Sequence, residues 1–125
     1  MASLLSRPHP LLATAALLLA GTTSADTTWI DVRSDAERAE RRVEGDAHVP
    51  FSDIAAGVQA LGLPKDADIA LYCAVGGRAG VAKLRLQSLG YSKVRNAGGI
   101  DDVIDARDCS DTGTPVVSCA TERSR

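Results

Sequence analysis

The run Ile69-Ala70-Leu71-Tyr72-Cys73 most restricts what this chain can become, because it leads through Ala74-Val75 straight into a glycine pair, Gly76-Gly77, and then a helical pattern. A strand with no polar face must be covered on both sides, as strands are in the parallel sheets of α/β proteins. Helix comes at once. From Arg78 to Ser88 the apolar positions Val81, Leu84 and Leu89 recur near helical spacing, and Gly90 suits the left-handed residue that ends a helix.

The rest of the chain repeats this alternation. Trp29-Ile30-Asp31-Val32 predicts a short buried strand, and Ser34-Asp35-Ala36-Glu37 has the Ser-x-x-Glu form of a capping box at the head of a charged helix reaching Arg42. Val43 to Phe51 contains Gly45 and Pro50 and reads as a loop with a brief extended stretch. Asp53 is placed to cap a helix from Ile54 to Leu61, with Ile54, Val58 and Leu61 on one face and Gly62 and Pro64 as its stop. Val94 to Ala97 predicts a strand, Gly98-Gly99 a turn and Ile100 to Ala106 a short helix. The expected fold class is α/β, a central parallel sheet with helices on both faces.

Ahead of this pattern lie Arg7, an apolar run from Leu11 to Ala20, and the small residues Thr23-Ser24-Ala25. That is the order of a secretory signal peptide. The run is about half of the ~20 residues that span a bilayer, and no second apolar stretch follows it. Residues 1–25 are therefore expected to be removed by cleavage between Ala25 and Asp26, leaving no membrane association. Taking 25 residues from 125 leaves 100, and taking Arg7 from 14 basic side chains leaves 13 against 16 acidic ones. That is one domain, over 26–108, and a tail, 109–125, rich in Ser, Thr and Gly, in which Val116-Val117 is loop or a loosely attached strand. An acidic balance, with only Trp29, Phe51, Tyr72 and Tyr91 as aromatics, argues against nucleic acid as a partner.

In a parallel α/β sheet, reactive groups gather at the carboxyl ends of strands, and Cys73 stands at one. The turn Ala74-Val75-Gly76-Gly77-Arg78 lets successive N–H groups curl inward as an anion nest, and the helix N-terminus adds partial positive charge. Both favour a thiolate. Arg78 offers a planar guanidinium to an oxyanion. The plainer alternative makes Cys73 a small core residue, but such a residue has no need of two glycines and an arginine after it. A tyrosine-phosphatase loop would place five residues between Cys and Arg; four stand here, a smaller ring that suits sulfur better than phosphate.

Several stretches, in order, resemble the single-domain rhodaneses: Trp29 to Arg33 followed by Glu37, Val43-Glu44-Gly45 running on to Val49-Pro50, Leu71 to Arg78, and Gly90-Tyr91 through Asn96-Ala97-Gly98-Gly99-Ile100. With the export signal, the likeness is to the small periplasmic thiosulfate sulfurtransferases, and it implies a rhodanese-like fold and a secreted, periplasmic protein. The resemblance implies that Cys73 takes sulfane sulfur from thiosulfate as a persulfide and passes it to cyanide or a thiol, with Ala74, Val75, Gly76, Gly77 and Arg78 binding the donor and no metal or other cofactor. Ala79 stands where many rhodaneses carry Ser or Thr, Arg42 where His is usual, His48 where Asn is common, and Val103 where an aromatic is often found. Two alternatives remain at this point: a sulfur carrier that binds persulfide without turnover, and a thiol redox protein in which a tail cysteine resolves Cys73.

Asp31 and Arg33 are expected to support the first strand's end by an ion pair or hydrogen bonds rather than to react. His48 has no second ligand at metal spacing and is expected to be a solvated loop residue, as Arg38, Arg41 and Arg42, alternating with Glu37, Glu40 and Glu44, are expected to form a solvated face. Cys109 and Cys119 are separated by nine residues containing Gly113 and Pro115, a loop that a disulfide can close in an oxidising compartment. That pairing leaves Cys73 free; pairing Cys73 with either of them would block it.

Overall fold

The structure, a computed structural model, describes residues 26–120; the segment read as an export signal lies outside them. In chain order the elements are β1 (Thr28–Asp31), α1 (Asp35–Glu40), β2 (Arg42–Val43), β3 (Ala47–His48), α2 (Ile54–Ala60), β4 (Asp68–Cys73), α3 (Gly77–Ser88), β5 (Lys93–Gly99), α4 (Ile100–Ala106), β6 (Cys109–Ser110) and β7 (Val116–Cys119). A single 3-10 turn, Phe51–Asp53, leads into α2. The main sheet is parallel throughout, in the order β3-β1-β4-β5.

β4 lies between β1 and β5, which explains its unbroken apolar run. Because side chains alternate across a strand, Ile69, Leu71 and Cys73 face one side and Ala70 and Tyr72 the other. The first side packs on Ile54 and Val58 of α2 and on Ala79, Ala82 and Leu86 of α3. Tyr72 enters a second core with Val43, Val117 and the α4 residues Ile100, Val103 and Ile104. Helices therefore cover both faces, as the alternation predicted.

The stretch after Asp108 contributes to that second core. β7 pairs parallel with β2, Val43 opposite Val117, and antiparallel with β6, where Cys109 faces Cys119 across the ladder. A disulfide joins these two cysteines, and Val117 is fully buried.

Five local expectations need correction. The buried face of α3 is Ala79, Ala82 and Leu86, while Val81 and Leu84 are 58% and 67% exposed. Only Ala74, Val75 and Gly76 connect β4 to α3, so the helix begins close against the sheet; alanine fits there and the larger side chains turn outward. Leu61 likewise ends up exposed, and Asp53 makes no side-chain cap bond, the 3-10 turn already supplying the entry to α2. The charged helix stops at Glu40, because Arg42 and Val43 are drawn into pairing with β7. Gly98-Gly99, expected as a turn, completes β5.

Candidate active site

The pairing of β4 with β5 shifts between Leu71, opposite Asn96, and Cys73, opposite Gly99, so β5 carries one extra residue there. Such a bulge bends the strand and re-aims the side chains around it. Past Cys73 the loop Ala74–Gly76 is pressed against Gly99 so closely that a Cβ at Gly99 would lie 2.3 Å from the Ala74 carbonyl oxygen. Gly76 has φ +99°, a left-handed conformation that side chains resist, and this turns the chain into α3.

The result is a cradle of amides around sulfur. Gly76 N–H donates to Cys73 Sγ at 3.0 Å and Ala79 N–H at 3.5 Å. Burial, with the residue 1% exposed, pushes the Cys73 thiol up, but the N–H groups of Ala79, Val75, Gly76 and Arg78 together bring it below its ordinary value. These amides favour the thiolate. Val75, at the loop's tip, is 88% exposed.

Asn96 ties this loop to the next. Its Nδ2 donates to the Gly76 carbonyl at 2.9 Å, and its Oδ1 accepts from Gly98 N–H at 2.9 Å. Gly99 N–H in turn donates to the Asp102 carboxylate at 2.8 Å.

Arg78, read from sequence as an oxyanion clamp, has its guanidinium on Glu37, with Nη1 and Nη2 donating to the two carboxylate oxygens at 2.7 and 2.8 Å. Glu37 belongs to the expected capping box: its N–H donates to Ser34 Oγ, and its Oε1 accepts from Ser34 N–H. The Arg78 bonds, together with Ser34, lower the Glu37 carboxyl to about 2 against the opposing effect of burial.

Asp31 and Arg33 lie at the end of β1 beside this loop, 1% and 5% exposed. Arg33 donates from Nε and Nη2 to the Asp31 carboxylate at 2.8 to 3.1 Å, and Nη2 also reaches the Arg41 carbonyl. His48 is not solvated: its Nε2 donates to the Arg33 carbonyl at 2.7 Å, with Asp35 3.5 Å from Nδ1. Arg41, on the face expected to be solvated, bridges Asp101 and Asp111 at the surface.

On the far face, Tyr72 donates from its hydroxyl to Asp46 at 2.6 Å, and Arg107 pairs with Asp46 while lying 4.4 Å over the Trp29 ring. Burial raises the Asp46 carboxyl despite these partners and raises the Tyr72 hydroxyl as well. The neighbouring cleft, about 520 Å³, is lined by Trp29, Asp46 and Arg107 at the opposite end of the strands from the thiol. Among the described residues no three His, Cys, Asp or Glu side chains cluster as a metal site.

Fold and loop together define an α/β domain that carries its free thiol in an amide cradle at the carboxyl edge of a parallel sheet. Residues 14–108 match the Rhodanese-like domain family, and the chain belongs to it; the match begins inside the stretch read as an export signal. Over 75 residues it is 32% identical to the thiosulfate sulfurtransferase PspE of Escherichia coli K12, covering 60% of this chain and 72% of that protein. Among solved structures, a rhodanese with anions from E. coli aligns at TM-score 0.58 and 32% identity, over 61% of this chain and 89% of that one. The human single-domain sulfurtransferase TSTD1 aligns at TM-score 0.53 and 25% identity, over 63% and 77%. Sulfur transfer is the activity that membership and relatives support.

Sequence reasoning missed Asn96, the Glu37–Arg78 pair and the role of His48. Asn96 carried a readable signal, since an asparagine two residues before a glycine often folds its side chain back on that glycine's N–H. The other two had none.

Proposed function

We propose that the protein is an exported thiosulfate sulfurtransferase that works through a persulfide on Cys73. The observation that carries the proposal is the cradle: a free thiol, lowered below its ordinary pKa by converging amides, with Gly76 N–H 3.0 Å from sulfur. In the first half-reaction the Cys73 thiolate attacks the outer sulfur of thiosulfate, the S–S bond of the donor breaks with its electron pair, and sulfite leaves. The enzyme then holds Cys73–S–S⁻, whose charge sits where the loop N–H groups can stabilise it. In the second, cyanide or a thiolate attacks the terminal sulfur, and the Cys73 thiolate returns as leaving group. Ala74 to Arg78 line the donor's approach, while Asp31 and Arg33 hold the end of β1 beside the loop. Pairing of Cys109 with Cys119 favours transfer over a redox cycle, because it leaves Cys73 without a resolving thiol.

Export rests on residues 1–25, with cleavage expected after Ala25, and mass analysis of the protein from the periplasm tests it: a mature chain starting at Asp26 is expected. For the reaction, thiocyanate formation from thiosulfate and cyanide is compared between wild type and Cys73→Ala. Loss of turnover in the variant, and a gain of one sulfur atom on wild type treated with thiosulfate alone, are expected. Equal rates would refute the proposal, and a persulfide that forms but is not discharged would indicate a sulfur carrier.

A further inference from the structure

Helix α1 has no buried residue, so apolar packing does not account for where it sits. Its tie to the active loop is polar. Glu37 takes two hydrogen bonds from Arg78, at 2.7 and 2.8 Å, and the capping box with Ser34 fixes Glu37 from the other side. Glu37, and to a smaller degree the Cys73 thiolate, hold the Arg78 guanidinium proton. The cation beside the nucleophile is thus already neutralised, and two of its five N–H donors are committed. Asp31 and Arg33, at the end of β1, neutralise each other. With Arg78 and Arg33 both paired and the Asp102 carboxylate on Gly99 N–H, attraction for an incoming anion falls to the loop amides.

We propose that Glu37 is a specificity-determining residue: paired with Arg78 beside the Cys73 loop, its carboxylate removes a positive charge from the donor site and shifts sulfur-donor choice away from dianions, toward organic thiosulfonates and persulfides of lower charge. The inference rests on the sulfur-transfer function above. The chemistry is the same for either donor class. With a thiosulfonate, R–SO₂–S⁻, the Cys73 thiolate attacks the outer sulfur and a sulfinate, R–SO₂⁻, departs with the electron pair of the broken bond, leaving the same persulfide. Glutamine at position 37 preserves a capping box but carries no charge, so it isolates the electrostatic effect.

The experiment measures kcat/KM for thiosulfate and for methanethiosulfonate, with cyanide as acceptor, in wild type and in Glu37→Gln. Effects on loop geometry act on both donors and divide out of the ratio. A unit charge at a half-solvated mouth changes the binding of one extra ligand charge roughly threefold, so the thiosulfate-to-thiosulfonate ratio should rise about that much in Glu37→Gln. High salt should shrink the difference. Glu37→Asp, which keeps the charge, should keep the wild-type ratio. A ratio unchanged or lowered in Glu37→Gln, or raised equally in Glu37→Asp, overturns the inference while leaving the function intact. Absence of Cys73-dependent turnover with both donors overturns the function, and this inference with it.

Discussion

Replacing Gly99 by alanine perturbs the thiol's cradle from behind. Gly99 has ordinary extended backbone, φ −93° and ψ 168°, so the substitution tests space alone. The added Cβ would lie 2.3 Å from the Ala74 carbonyl oxygen and 3.2 Å from Val75 Cα, where ordinary contact begins at 3.4 Å. The Ala74 peptide must therefore retreat by about 1 Å, at a cost of roughly 1–3 kcal/mol typical of overpacking. Gly76 N–H, 3.0 Å from sulfur, lies just two residues further on. A displacement of that size stretches it to the limit of hydrogen-bond reach to sulfur, and a bond to a charged group contributes about 1.5–3 kcal/mol. Losing that bond raises the Cys73 pKa. Iodoacetamide alkylation followed against pH reads this directly, as a midpoint moved upward and a slower rate at neutral pH, with urea unfolding as the parallel measure of stability. Gly77→Ala is the control, since a Cβ there meets nothing within 4 Å. A folded Gly99→Ala protein whose alkylation midpoint matches wild type would refute the claim that loop amides set the thiol's acidity.

Asp31→Ala strands the buried Arg33 guanidinium and should cost about 3–5 kcal/mol in urea unfolding, far more than an exposed pair would. Reducing the Cys109–Cys119 bridge, at a sequence separation of 10, should cost about 3 kcal/mol and lower Tm in calorimetry, with Cys73 alkylation unchanged. The Glu37 carboxyl, held at about 2 against an ordinary 4.5, contributes stability that is fully present above 4.5 and lost as pH falls toward 2. The pair is a third exposed, so the amount is about 1 kcal/mol or less, and the urea midpoints of wild type and Glu37→Gln should converge across that window.

The fold was legible where local chemistry decides it. The Ser34–Glu37 capping box, the apolar β4 and the helix Ile100–Ala106 stand where the sequence put them, because each is set by neighbours in the chain. The face of α3 was misread because periodicity marks which residues are apolar, while the short loop before the helix decides which of them the sheet can accept. Within the site, Cys73 and its glycine turn could be read from one contiguous stretch. Arg78 could not, for its partner Glu37 lies 41 positions away, and Asn96 reaches Gly76 across 20. Such pairings leave no periodic trace and exist only once the sheet has formed.

The pairing of β2 with β7 bears on how the molecule is made. Ser118 meets Glu44 across 74 positions, and Val117, fully buried, seals the second core against Val43. Closing so long a loop costs about 4 kcal/mol of chain entropy, recovered only when the strand seats. Non-local closure of this kind slows folding and ties its completion to one late event. A polypeptide emerging in order cannot close β2 against β7 until Val116–Cys119 is out, so completion of the second core waits for that strand.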